Sequence, residues 1–231
     1  MVSKIRFRDV ALLVFGGILV GGLVALVVGV PTWRITHSNF ATSTVLGVCV
    51  YGAWIIGYHR LSQRLPWTDL RTRFATVGKK AMVISALVGA GLVGFITSAV
   101  ALLEWAGIRM DPIPTPDILP HDWIELPVAI LVIVIVGPMT EELLFRGLLL
   151  DWLKQKLNVW ATAVILSVMF SLLHANPFSL GAVGWLAFTH RLLLGLAASA
   201  LAIHYRSLRP SLIMHGTVNA IACITSMIMV T

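Results

Sequence analysis

The feature that most restricts this chain is a series of long runs almost free of charge. They are Val10 to Val30, Phe40 to Tyr58, Ala81 to Trp105, Leu126 to Leu153, Val159 to Ala175, Val183 to Ile203 and Ser211 to Thr231. A helix needs about 20 apolar residues to cross the hydrocarbon core of a bilayer. In lipid only segments that satisfy their own backbone hydrogen bonds can span it. Runs of this length and number predict an all-α, polytopic transmembrane helix bundle of about seven spans, six to eight. Of 231 residues, 58% are hydrophobic and 12% charged, about half the charged share of a soluble domain. The runs leave no segment for a separate soluble core, so residues 1–231 are expected to form one membrane domain. The first run follows Lys4, Arg6 and Arg8, but it is too long for the apolar region of a signal peptide, and Gly29-Val30-Pro31-Thr32 is a poor cleavage site.

The net charge of +7 does not point to nucleic acid, because Lys and Arg occur in short clusters between apolar runs. Basic residues near span ends report orientation. With the N-terminus cytoplasmic, inner segments hold Lys4, Arg6, Arg8, Arg60, Arg64, Arg71, Arg73, Lys79, Lys80, Arg146, Lys154, Lys156, Arg206 and Arg209, fourteen of the seventeen. Arg34, Arg109 and Arg191 fall on the outer side, where the loop near Asp111, Asp117 and Asp122 is acidic and Pro-rich. The predicted topology is N-in and C-out. Cys49 and Cys223 lie inside apolar runs and carry no metal or disulfide spacing.

Polar groups inside spans are expensive and mark function. The fourth run holds Glu141, Glu142 and Arg146. Glu142 and Arg146 are four apart with the acid first, the favourable order for a helical ion pair. Glu141 points about 100° away round the helix and is left for another cavity, unless both acids simply sit at the membrane surface. His174 closes the fifth run. Counted from a reversal near Leu157, Glu141 and His174 both lie roughly 25 Å along their helices, so an antiparallel hairpin sets them level. The seventh run supplies His215 and Asn219 on one helical face. His215 is only about 8 Å beyond Pro210, so the hairpin must project some 15 Å past that turn, or a helix must break. Asn176-Pro177 and the stretch to Gly184 suit irregular backbone beside a cavity. A carboxylate, two imidazoles and an amide are groups that can activate water on a carbonyl.

Three segments then fall into a known pattern: Glu141-Glu142-Leu143-Leu144-Phe145-Arg146, Phe170-Ser171-Leu172-Leu173-His174 and His215-Gly216-Thr217-Val218-Asn219. They resemble the E-E-x-x-x-R, F-x-x-x-H and H-x-x-x-N motifs of the CPBP family, the type II CAAX prenyl proteases and their bacteriocin-processing or immunity relatives, also called Abi. The resemblance covers about residues 125 to 225 and makes 125–231 the catalytic core, with 1–124 as three accessory spans and loops. It implies an intramembrane endopeptidase, a hydrolase, that cuts near the cytoplasmic membrane face. Glu141 would be the base acting on water, His174 would position that water, and His215 and Asn219 would polarise the carbonyl. Glu142, Arg146 and Phe170 would support the site. The family is often labelled metalloprotease, and Glu141, His174 and His215 could supply three ligands to a divalent metal such as zinc. A metal-free glutamate mechanism uses the same residues and is preferred because no H-E-x-x-H pattern occurs.

Expected partners are membrane lipid and a peptide or protein substrate: a leader peptide, a sorting target or a prenylated CAAX-like tail. No nucleic acid is expected. Compactness points to a multi-pass protein of a prokaryotic cell membrane. Two rival readings use the same polar cluster, an ion- or proton-handling transporter and a non-catalytic assembly or immunity protein. The first three spans carry no matched motif, and the sixth is expected only to return the chain.

Overall fold

The computed structural model describes residues 6–64, 70–108, 110, 119–178 and 181–230, with eight helices and no strand among them. Lys4, Arg109, Asp111, Asp117 and Thr231, used above as topology markers or span ends, lie outside the described residues. The helices are α1 (Phe7–Thr36), α2 (Asn39–Arg64), α3 (Leu70–Arg73), α4 (Lys79–Trp105), α5 (Leu126–Leu153), α6 (Val159–His174), α7 (Gly181–Tyr205) and α8 (Arg209–Val230). Six of them, α1, α2, α4, α5, α7 and α8, are long and apolar enough to cross a membrane, as expected of a polytopic helical bundle.

The fifth apolar run is the exception. Its helix α6 has 16 residues, or about 24 Å at 1.5 Å per residue, short of a hydrocarbon core of about 30 Å. Asn158 begins it by accepting the Ala161 N–H at 2.8 Å. It ends at Ala175, which is extended at φ −150° and ψ 126°. Pro177 disfavours helical backbone in the residue before it, so the chain leaves the helix directly after His174. The short helix thus delivers His174 to the interior of the bundle.

α5 is the most enclosed of the long helices, and α2, α7 and α8 close around it. α1 lies along α2, α6 along α7, and α4 along α8. Membrane helices gain little from apolar contact alone, because lipid is as apolar as leucine; close approach at small residues holds them together. Gly89 of α4 shows this: a Cβ there would sit 2.5 Å from the Met214 carbonyl oxygen and 3.1 Å from Thr217 Cβ.

The segments that the charge pattern assigns to the inner side share one end of the bundle. Phe7 stacks near Trp152 with ring centroids 5.9 Å apart. The chain after α3 ties the α7–α8 turn: Leu208 N–H donates to Arg73 O (2.8 Å), Ser207 Oγ to Ala75 O (2.8 Å) and Arg209 Nε to Phe74 O (2.7 Å). Arg73 also pairs with Asp151 at the end of α5. His215 contacts Glu142, so Leu208, seven residues down α8, is level with about Leu149 of α5. The α5–α6 tip near Leu157 therefore projects roughly 10 Å past the α7–α8 turn. Projection, aided by the residues around Arg73 filling the step, resolves the mismatch in helix lengths.

Replacing Gly89 with Leu is expected to force α4 away from α8, at a cost of about 1–3 kcal/mol for overpacking. A lower midpoint of thermal unfolding in detergent than that of the unsubstituted protein checks this.

Candidate active site

Two π-helical stretches, Ile130–Val136 and Leu143–Leu149, flank the α-helical turn Gly137–Glu142 within α5. Such bulges recur beside functional groups because they re-aim side chains and release backbone polar atoms. In the first stretch the Gly137 N–H reaches back five residues to Val132 O. The next donor would be residue 138 to Ile133 O, but Pro138 has no N–H. The Ile133 carbonyl is instead met by the Asn219 side chain, whose Nδ2 donates at 2.9 Å. α8 is thereby docked on α5 just before Glu141. Gly216 permits the approach, since a Cβ there would lie 3.1 Å from Val134 O.

Glu141 faces groups from three other helices. His174 Nε2 of α6 is 3.6 Å from its Oε1, and His215 Nε2 of α8 is 3.7 Å from its Oε2. The Tyr51 hydroxyl of α2 donates to Oε1 at 3.4 Å. The far nitrogens of both imidazoles are committed. His174 Nδ1 is 2.8 Å from Phe170 O, and a carbonyl only accepts, so Nδ1 carries the proton. His215 Nδ1 donates to Glu142 Oε1 at 3.1 Å. Both rings consequently present Nε2 to the same carboxylate.

Beneath this layer Glu142 and Arg146 form the ion pair that their spacing predicts, at 3.1 Å with both side chains fully buried. Arg146 Nη2 also donates to Gly195 O (2.9 Å) and Nε to Ser199 Oγ (3.5 Å), both on α7. Phe170, wholly buried, lies 4.2 Å from the His174 ring and 5.8 Å from the His215 ring between centroids, with the Arg146 guanidinium carbon 5.2 Å from its own. The surface-cluster alternative for the two glutamates does not hold, since Glu142 is fully enclosed and Glu141 only 12% exposed at its side chain. His174, at 29%, is where the site opens.

The structure thus gathers Glu141, His174 and His215 into one layer and Glu142, Arg146 and Phe170 into the layer supporting it. Asn219 lies on the helix break, with one amide hydrogen engaged and one left over. Two groups are additional to the sequence reading. Tyr51 stands on a span with no motif, and a single Tyr in an apolar run gives no signal. Arg191, counted above as an outer-side charge, lies within α7 one turn before Gly195 and in electrostatic reach of Glu141. Its position inside a span was the signal. α7 therefore does more than return the chain: it holds Arg146 and brings a cation towards Glu141. Among the described residues no group of three His, Cys, Asp or Glu side chains is arranged to hold a metal ion.

Residues 123–221 match the family model of type II CAAX prenyl endopeptidases, Rce1-like. The match spans less than half of the chain and agrees with the resemblance that the three motifs carry. The matched segment contains every motif residue from Glu141 to Asn219 and leaves Tyr51 outside. No curated protein and no solved structure matches the chain significantly.

Removing one member of a buried ion pair strands the other charge, at about 3–5 kcal/mol. Glu142→Gln and Arg146→Met should each destabilise on that scale, while the double variant should cost clearly less than the sum of the two. Denaturant unfolding of all four proteins in detergent measures this coupling.

Proposed function

We propose that this protein is an intramembrane endopeptidase that hydrolyses a peptide bond near the cytoplasmic membrane face, using water activated by Glu141 without a metal. The observation that carries the reading is the orientation of both imidazoles: each ring's N–H is spent on a neighbour, and each free Nε2 is turned to one oxygen of Glu141. A water in this layer would donate one hydrogen to the carboxylate and be oriented by an imidazole nitrogen. Glu141 takes the proton as the water oxygen bonds to the substrate carbonyl carbon. The tetrahedral oxyanion is stabilised by the remaining Asn219 N–H, the Tyr51 hydroxyl and the nearby Arg191 charge. The proton then passes from Glu141 to the amide nitrogen as the C–N bond breaks, so atoms and charge balance.

The bond cut lies close to the inner surface, since His215 is six residues into α8, about 9 Å from that helix end. The substrate class is a leader peptide, a sorting target or a prenylated CAAX-like tail, presented from lipid or from the cytoplasmic side. The protein itself would reside in a prokaryotic cell membrane.

Loss of a general base costs about a hundred- to ten-thousand-fold. Glu141→Gln should therefore remove cleavage of prenylated or leader peptides by the reconstituted protein while leaving its unfolding midpoint in place. His174→Ala should fall in the same range. Retained cleavage in Glu141→Gln would sink the mechanism, and stoichiometric metal lost together with His174 would replace it with a metal-dependent one. Tyr51→Phe removes one long hydrogen bond to a charged group, so kcat should fall about three- to tenfold with KM unchanged.

A further inference from the structure

The inner end of the bundle carries a second built feature, separate from the Glu141 layer. A cavity of about 330 Å³ opens between the inner ends of α5 and α7, the start of α6 and the turn into α8. Its walls present Arg73, Lys154 and Arg206 against the one carboxylate of Asp151. A neighbouring hollow of about 410 Å³ shares those same four residues, so the two form one groove that reaches the surface. Arg146 also reaches the cavity, but its charge is already met by Glu142.

Asp151 is occupied by both Arg73 and Lys154. Arg206 has no carboxylate partner among the described residues. Its backbone is left-handed at φ 50°, where it caps the C-terminus of α7. Glycine or asparagine normally takes that position, because a larger side chain is strained there. The turn would form more easily without an arginine, yet a cation stands at this point and borders both hollows. An inward bias of basic residues explains why Lys and Arg lie at this end. It does not explain why three of them surround one groove with a single, already paired carboxylate.

We infer that this groove binds the phosphate of an anionic phospholipid headgroup. The excess positive charge matches a phosphate oxyanion, and Arg206 offers forked N–H donors suited to it. Basic pockets between helix ends on the inner side of a membrane are suitably placed for headgroups, where the leaflet itself supplies the anion. Free phosphate has the same chemistry, and the experiment separates the two sources.

The probes are phosphatidylglycerol, phosphatidylcholine and inorganic phosphate, each added to the detergent-purified full chain and followed by native mass spectrometry and thermal unfolding. Arg206→Asn removes the charge while suiting the left-handed backbone, and Lys154→Gln removes a second, exposed charge. Phosphatidylglycerol should bind and raise the unfolding midpoint where phosphatidylcholine does not. Each substitution should weaken its binding about fivefold, and the pair about 25-fold. Unchanged phosphatidylglycerol binding in both variants, or equal binding of phosphatidylcholine, would overturn the inference. Inorganic phosphate that binds as tightly as the lipid, with the same loss in the variants, would also overturn it in favour of a free anion. Should Arg206→Asn fail to fold, Lys154→Gln alone decides by the same criterion.

Discussion

The buried pair of Glu142 and Arg146 is the contact on which the rest of the interior depends. A charge in an apolar interior persists only when it is paired and its remaining donors and acceptors are used. Arg146 meets that requirement by reaching Glu142 on its own helix and Gly195 and Ser199 on α7. Glu142 in turn receives the His215 N–H from α8. Three helices are thus fixed by one pair of opposite charges, and the orientation of His215 towards Glu141 follows from it. Phe170 adds a fourth, packing its ring against His174, His215 and Arg146.

Two departures from regular helix make room for the layer above. α5 changes to π-helical pairing on both sides of the glutamates, and Pro138 leaves a carbonyl that Asn219 satisfies. α6 stops early because Asn176-Pro177 follows it. Irregular backbone at membrane depth is stable only where protein groups meet its polar atoms, and here Asn219 does so for Ile133 O. That hydrogen bond gives Asn219 a structural duty alongside any part it plays on a carbonyl. The same two breaks account for how a helix of 16 residues can bring His174 level with Glu141 near the middle of a helix of 28.

The opposite balance holds at the inner end. There the charges differ in exposure: Arg73 and Asp151 pair with side chains 17% and 10% exposed, whereas Lys154 is 48% exposed and its contact contributes little to stability. Their effect lies in the field they set up over the α5–α6 tip and the turn into α8. Arg73 serves both regions, since its carbonyl anchors Leu208 while its guanidinium meets Asp151.

Much of this was legible in the sequence because the relevant physics is local. Apolar length alone predicted the helical bundle, and i to i+4 spacing predicted the Glu142–Arg146 pair. Counting residues from the Leu157 reversal predicted that Glu141 and His174 meet. The expected six to eight spans include the six helices long enough to cross; the fifth run falls short because an apolar run does not reveal where proline will end its helix. What could not be read were contacts between helices with no motif to connect them. Tyr51 reaches Glu141 only through the packing of α2 on α5, and Arg191 points inward only through the rotation of α7 set by Gly195 and Ser199. The sequence by itself determined which residues are costly in a membrane and how they are spaced along each helix. Which of them face one another was decided by the tertiary structure, because helix rotation and depth depend on the close approach of neighbouring backbones.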